Sequence, residues 1–201
     1  MDDLTQNILI SGIGGQGVVL AGRIISLAAF ESGMDIKTSE VHGMSQRGGS
    51  VTTHIRFGRK IFSPLIPEKS ATAILSFDIY ETLRYAGSFA NKNTIIISSY
   101  DGKTPAWTSK TKNDTIANNF TDIYSIASLL KDNFKSLTLL DDKRIAENLG
   151  NVKVSNIILI GALSVFTDIK EEIWLKIIKT NVPEKTADLN IKAFMKGRAS
   201  L

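Results

Sequence analysis

The sequence predicts an α/β protein, and two observations carry that prediction. Short apolar runs of strand length alternate with helix-periodic segments through residue 150. Near the start, "NILISGIGGQGVVLAGRIISLAAF" (7–30) passes from an apolar strand through a glycine cluster directly into a helix. The expected architecture is a Rossmann-like, mostly parallel sheet with flanking helices and a helical C-terminal region, in a single domain over 1–201.

Each element follows from its local pattern. Asn7 to Ser11 is an apolar run before glycine, hence a buried strand. Val18 to Ser32 is a helix whose apolar residues cover most of its circumference, so it packs on more than one side, and Gly33 stops it. "DIKTSEV" (35–41) alternates as a second strand. "VTTHIRFG" (51–58) is β-rich, with Ile61 to Ser63 expected as a hairpin return. "TAILSF" (72–77) and "TIIISS" (94–99) read as buried strands. Asp78 is a natural N-cap for the helix after it, and Glu81 stands where a capping box needs an acid. The polar stretch 101–121 is expected as a loop. Asp122 to Asp132 reads as a helix and "SLTLL" (136–140) as a strand, with helices following at about 142–149, 155–167, 170–180 and 185–197.

Composition narrows the function. The 201 residues carry a formal charge of +4, too little and too scattered to argue for nucleic acid. Cysteine is absent, which excludes disulfides, a thiol nucleophile and an iron–sulfur cluster held by this chain's own thiolates. The acidic opening "MDDLTQ" is unlike a signal peptide, and the longest apolar stretch, 156–166, is too short to span a bilayer. The expected setting is cytoplasmic, with no membrane partner, so the sequons at Asn113 and Asn119 read as chance.

The chemistry sits in two glycine segments. Gly12, Gly14 and Gly17 match G-x-G-x-x-G, with Gly15 and Gln16 between them. In such a turn the first glycine permits the bend, the second lets backbone approach a phosphate, and the third packs helix on strand. The free N–H groups of the helix start then suit an anion. No Lys-Ser/Thr follows, so it is not a nucleoside-triphosphate loop. A nicotinamide dinucleotide also wants an acid about 20 residues on, and Glu40 is the candidate. A purely structural turn is the competing reading. The second segment, "EVHGMSQRGGSV" (40–51), sets Ser45, Gln46, Arg47, Gly48 and Gly49 at the end of the second strand. Arg47 can bind carboxylate or phosphate bidentately, and the glycines allow close backbone approach.

Other candidates have simpler readings. His42 and His54, the two histidines, lack the spacing and companions of a metal site. Arg56, Arg59 and Lys60 read as a solvated strand end, and Trp174 as core or interface.

"GIGGQGVVLAGRI" followed by "EVHGMSQRGGSV" resembles the gamma-type domain of the ferredoxin-dependent 2-oxoacid oxidoreductases, closest in wording to the small beta subunit of the indolepyruvate type. "SPLIP" (63–67), "LSFDIYETLRYAG" (75–87), "NIILIGAL" (156–163) and "NIKAFMKG" (190–197) extend the resemblance over nearly the whole chain. It implies a complex that decarboxylates a 2-oxoacid on thiamine diphosphate with magnesium, passes electrons through 4Fe-4S clusters to ferredoxin, and releases an acyl-CoA. It further implies that a large alpha catalytic subunit holds those cofactors and that this chain is its partner, inactive alone. The expected substrates are arylpyruvates such as indolepyruvate, with a gamma subunit for another 2-oxoacid, or a free-standing NAD-binding dehydrogenase, as alternatives. Coenzyme A is strongly anionic, and the expected contacts are Gly12, Gly14, Gly15, Gln16 and Gly17 with Ser45 to Gly49; docking of the same loops on the large subunit is the competing role.

Overall fold

A computed structural model describes residues 5–43, 48–102 and 122–201. The polar stretch expected as a loop lies from residue 103 to 121 outside them, with both sequons, as do Ser45, Gln46 and Arg47.

The strands are β1 (Gln6–Ile13), β2 (Asp35–His42), β3 (Ser50–Gly58), β4 (Ala73–Ser76), β5 (Ile95–Ser99) and β6 (Leu137–Leu140). The helices are α1 (Val18–Glu31), α2 (Ile79–Phe89), α3 (Ile123–Asn133), α4 (Asp142–Asn148), α5 (Ser155–Ser164), α6 (Glu171–Asn181) and α7 (Ala187–Arg198). One six-stranded sheet runs in the order β2-β3-β1-β4-β5-β6. β1, β4, β5 and β6 are mutually parallel, whereas β3 lies antiparallel between β1 and β2. The α/β class and the helical last quarter match the expectation from sequence; the insertion of β3 refines it.

The central strands are buried on both faces, so they read as unbroken apolar runs. In β1, Ile8 and Ile10 face a core shared with α1, α5, α6 and α7, while Leu9 faces the opposite side with Ile74, Ile96 and the end of α2. Helix α5 is apolar all round and buried along its length after Ser155, the signature of a helix enclosed by others. Among the described residues no helix is long and apolar enough to cross a membrane.

Helix starts follow their caps. Asp78 accepts from Tyr80 N at 3.0 Å, and Asp122 from Ser125 N at 2.8 Å. Glu81 does not close the expected capping box: its Oε2 accepts from Ser50 Oγ, tying α2 to the start of β3. Ile61 to Ser63 is not a return strand, because β3 already has β1 and β2 as neighbours and offers no free edge. That segment is a clamped loop instead. Arg56 Nη1 donates to Ser63 O at 2.9 Å, and Ile61 N donates to Asp35 Oδ2 at 2.7 Å.

Candidate functional site

The glycine turn sits at the carboxyl end of β1, where open α/β sheets present ligands. A Cβ on Gly12 would lie 2.8 Å from Val18 Cγ2 and 3.2 Å from Phe77 Cβ, so the bend needs a bare Cα there. Gly17 caps α1 with φ 88°, a left-handed conformation natural to glycine. Its Cβ would also fall 2.5 Å from Asn156 Nδ2. Gly15 has φ 98° and open space beside it.

The second glycine of the motif departs from its expected role. What approaches Gly14 is the other glycine segment: Gly14 N donates to Gly49 O at 2.9 Å, and Gly48 N lies 3.7 Å from where a Cβ would stand. The two segments singled out in the sequence therefore meet, with Gly43 N to Ser50 O at 2.9 Å closing the β2–β3 hairpin behind them. Gln16 shapes the turn from within. Its Oε1 accepts from Ile13 N at 2.6 Å, and its Nε2 stands 3.5 Å from Asp78 Oδ2.

Glu40 does not serve the turn. β3 separates its strand from β1, placing the edge strand about 9.5 Å away, two strand spacings. Glu40 instead lies 3.4 Å from His42 Nε2. The acid that a nicotinamide ribose would need is therefore not beside the glycine turn. His54 is a packing residue whose Nδ1 accepts from Ile66 N at 3.2 Å, and burial lowers its pKa. Trp174 is buried in the core beside Phe194.

A cavity of about 590 Å³ opens on the far side of the turn, a volume suited to a small-molecule ligand. Gly15, Gln16 and Gly17 form one wall; Asp142, Lys153 and Asn156 form another, with Phe77 and Leu159 as apolar lining. The first turn of α1, which starts beyond Gly17, has its donors available. Ala21 N bonds Gly17 O at 3.0 Å, so the N–H groups of Val18, Val19 and Leu20 have no intrahelical partner, and no side chain caps them. Lys143 also lines the cavity, but its ammonium pairs with Asp101. Lys153 has no ion pair among the described residues.

Asp142 is the unexpected member. Burial pushes its carboxyl up to about 6, against hydrogen bonding from Ser99 and Ser155 that favours the ionised form. The sequence reading missed this wall because Asp142 and Lys153 stand in no motif, and Asn156, the first residue of "NIILIGAL", reads only as part of an apolar helix. Glu81, at the start of α2, is also buried and its pKa is raised, first by desolvation and then restrained by Ser50. Arg84 Nε lies 3.3 Å from its Oε1 without hydrogen-bonding geometry.

Comparison with known proteins places the chain. It is 34% identical over 194 residues to indolepyruvate oxidoreductase subunit IorB of Thermococcus kodakarensis, covering 95% of this chain and 93% of that one. The IorB subunit of Pyrococcus horikoshii is likewise 34% identical, over 94% of this chain and 92% of its own. A solved structure of 2-oxoglutarate:ferredoxin oxidoreductase from Magnetococcus marinus, with 2-oxoglutarate, coenzyme A and succinyl-CoA bound, shares the fold at a TM-score of 0.72 and 17% identity. That likeness covers 98% of this chain but 31% of the longer one. The description of the pyruvate ferredoxin/flavodoxin oxidoreductase family matches residues 7–200, and the chain belongs to that family.

Proposed function

We propose that this chain is the small subunit of an arylpyruvate:ferredoxin oxidoreductase, with indolepyruvate as the representative substrate. The complex converts the 2-oxoacid and CoA to an acyl-CoA and carbon dioxide, with ferredoxin as electron acceptor. The observation that carries this reading is the near full-length similarity to small subunits named for indolepyruvate. The displaced Glu40 speaks against a free-standing NAD-binding dehydrogenase.

This chain's residues do not fit a 4Fe-4S cluster, and thiamine diphosphate with magnesium is proposed to lie on the large subunit. The chain has no cysteine, and among the described residues no three His, Asp or Glu side chains gather as a metal site. The large alpha subunit is proposed to hold them, in the cytoplasm, with this chain as one domain docked to it.

The role proposed for this chain is to form one edge of the CoA channel. The glycine turn Gly12 to Gly17, with its unpaired helix N–H groups, takes phosphate oxygens, and Ser45 to Gly49 is proposed as the other part of that edge. The bond from Gly14 to Gly49 supports this reading by bringing the two segments together.

The test is anaerobic reconstitution with the large subunit encoded in the same genome, following viologen reduction that depends on indolepyruvate and CoA. Activity is expected only with both chains. Equal activity from the large subunit alone would overturn the subunit reading. In the assembled complex, Arg47→Ala is expected to raise the KM for CoA several-fold with little change for the 2-oxoacid. An unchanged KM for CoA would remove the second glycine segment from the channel.

A further inference from the structure

Asp142 is 2% exposed and lines the cavity, yet its Oδ1 has no hydrogen-bond partner. A buried acceptor left without a donor is destabilising, and more so when it is charged. The polar groups around the rest of the cavity lean the other way. The Lys153 ammonium and the Asn156 amide line it and donate, as do the first-turn N–H groups of α1 that follow Gly17, and none of them has an acceptor among the described residues. The cavity thus combines a donor-rich side with one buried, unmet acceptor.

Those two halves define a ligand. A fully ionised inorganic anion or a simple carboxylate would satisfy the donors and leave Asp142 unmet. A neutral donor would do the reverse. A nucleoside phosphate does both, because its anionic end carries a ribose and a base that present O–H and N–H groups. The carboxylate also repels phosphate, so it fixes which end of the ligand lies where. Lys143 is already engaged by Asp101, which leaves Lys153 as the cation for the phosphate end.

We propose that Asp142 accepts a hydrogen bond from the nucleoside part of a phosphorylated ligand whose phosphate lies against Lys153 and the Gly15–Gly17 turn. This deepens the CoA-channel reading and rests on it for the identity of the natural ligand. Asp142 is then the residue that distinguishes a nucleotide from a bare phosphate.

The experiment uses the full chain, alone and in the reconstituted complex, with calorimetric titration of ADP and of inorganic pyrophosphate. The wild type is expected to prefer ADP by about tenfold, the scale of one hydrogen bond to a charged group. Asp142→Leu, which keeps the branched outline and removes the acceptor, is expected to abolish that preference while pyrophosphate binding changes less than about twofold. Asp142→Asn, which keeps an acceptor, should retain part of it. Lys153→Gln should weaken both ligands alike. An equal fall for ADP and pyrophosphate in Asp142→Leu, or no fall for either, would overturn the proposal.

A second measurement needs no variant. Carbon-13 NMR of the wild-type Asp142 carboxyl should titrate lower with ADP bound than with pyrophosphate bound, because a donated hydrogen bond favours the carboxylate. Equal titration with the two ligands would overturn the assignment. Excess CoA should displace ADP. An ADP preference that depends on Asp142 but resists CoA would overturn the CoA reading and leave the Asp142 assignment standing.

Discussion

Replacing Gly161 by alanine is expected to destabilise the fold, against the sign that helix propensity gives. Gly161 lies inside α5, where alanine is ordinarily favoured over glycine by about 1 kcal/mol. Here the new Cβ would sit 2.1 Å from Phe194 O and 3.0 Å from Phe194 C in α7. Backbone atoms have no rotamer to escape into. Restoring ordinary contact, which begins at 3.4 Å, means moving α7 away by about 1.3 Å. A gap of that size forfeits more than half of the dispersion energy of each contact across it. Ile157, Ile158, Ala193 and Phe194, none of them exposed, all lie at this junction. Overpacking costs about 1–3 kcal/mol, and a clash of backbone on backbone belongs at the upper end. After the propensity gain the net loss is about 2 kcal/mol, a fall in melting temperature of about 4–8 °C for a chain this long. The internal control is Gly87→Ala at an exposed position of α2, where a Cβ meets nothing within 4 Å. That variant should melt at the same temperature or a few degrees higher. Paired thermal melts of the full chain, followed by circular dichroism, decide the matter. A Gly161→Ala protein that melts with or above Gly87→Ala would refute the close-packing argument.

Three further outcomes follow from buried polar groups. The Asp142 carboxyl is raised by burial from 3.8 to about 6, so the folded state binds its proton more tightly than the unfolded one, and stability falls as pH rises through that window. The full penalty, on the order of 3 kcal/mol, applies above about pH 6. Asp142→Asn should therefore be the more stable protein above that pH and converge with wild type below pH 4; parallel stability curves would contradict this. Ser50→Ala removes the donor to buried Glu81 and should cost about 1–3 kcal/mol in urea titration, with Glu81→Gln added in the same chain recovering part of it. A Ser50→Ala protein as stable as wild type would show that this bond contributes nothing. Burial lowers the pKa of His54, so its contribution is present above the unfolded value of 6.5 and lost as pH falls through the folded one. The Ile66 amide, bound to His54 Nδ1, should then lose exchange protection on acidification before its β1 neighbours do, and protection that holds at low pH would exclude this role.

Much of this architecture was legible in the sequence, for identifiable reasons. Strands such as "TIIISS" and the helix read at 122–132 carry their own periodicity, and Asp78 announces the helix it caps. The glycine turn was legible because Gly12 and Gly17 answer to local backbone demands. Strand order was not. "VTTHIRFG" reads as a strand whichever way it runs, and nothing within it says that it separates β2 from β1. That single insertion disconnects Glu40 from the turn. The hairpin return at 61–63 failed for the same cause, since edge availability belongs to the whole sheet. The wall formed by Asp142, Lys153 and Asn156 was hidden because it is assembled by packing: Asn156 reaches the turn only because α5 is held against the sheet.

The glycine pair at 161 and 197 bears on how such a chain is made. A Cβ at Gly197 would stand 1.9 Å from Ile158 O, so α5 and α7 meet backbone to backbone. During synthesis the residues of α5 leave the ribosome before those of α7. Until α7 arrives, a helix that is apolar on every side lacks one of its covers. The nascent chain therefore passes through an interval in which its stickiest segment is uncovered, and that interval lasts seconds at ordinary elongation rates of about 5–20 residues per second. A stall between the two helices would leave a chain with every strand translated and an apolar surface open to chaperones or to aggregation.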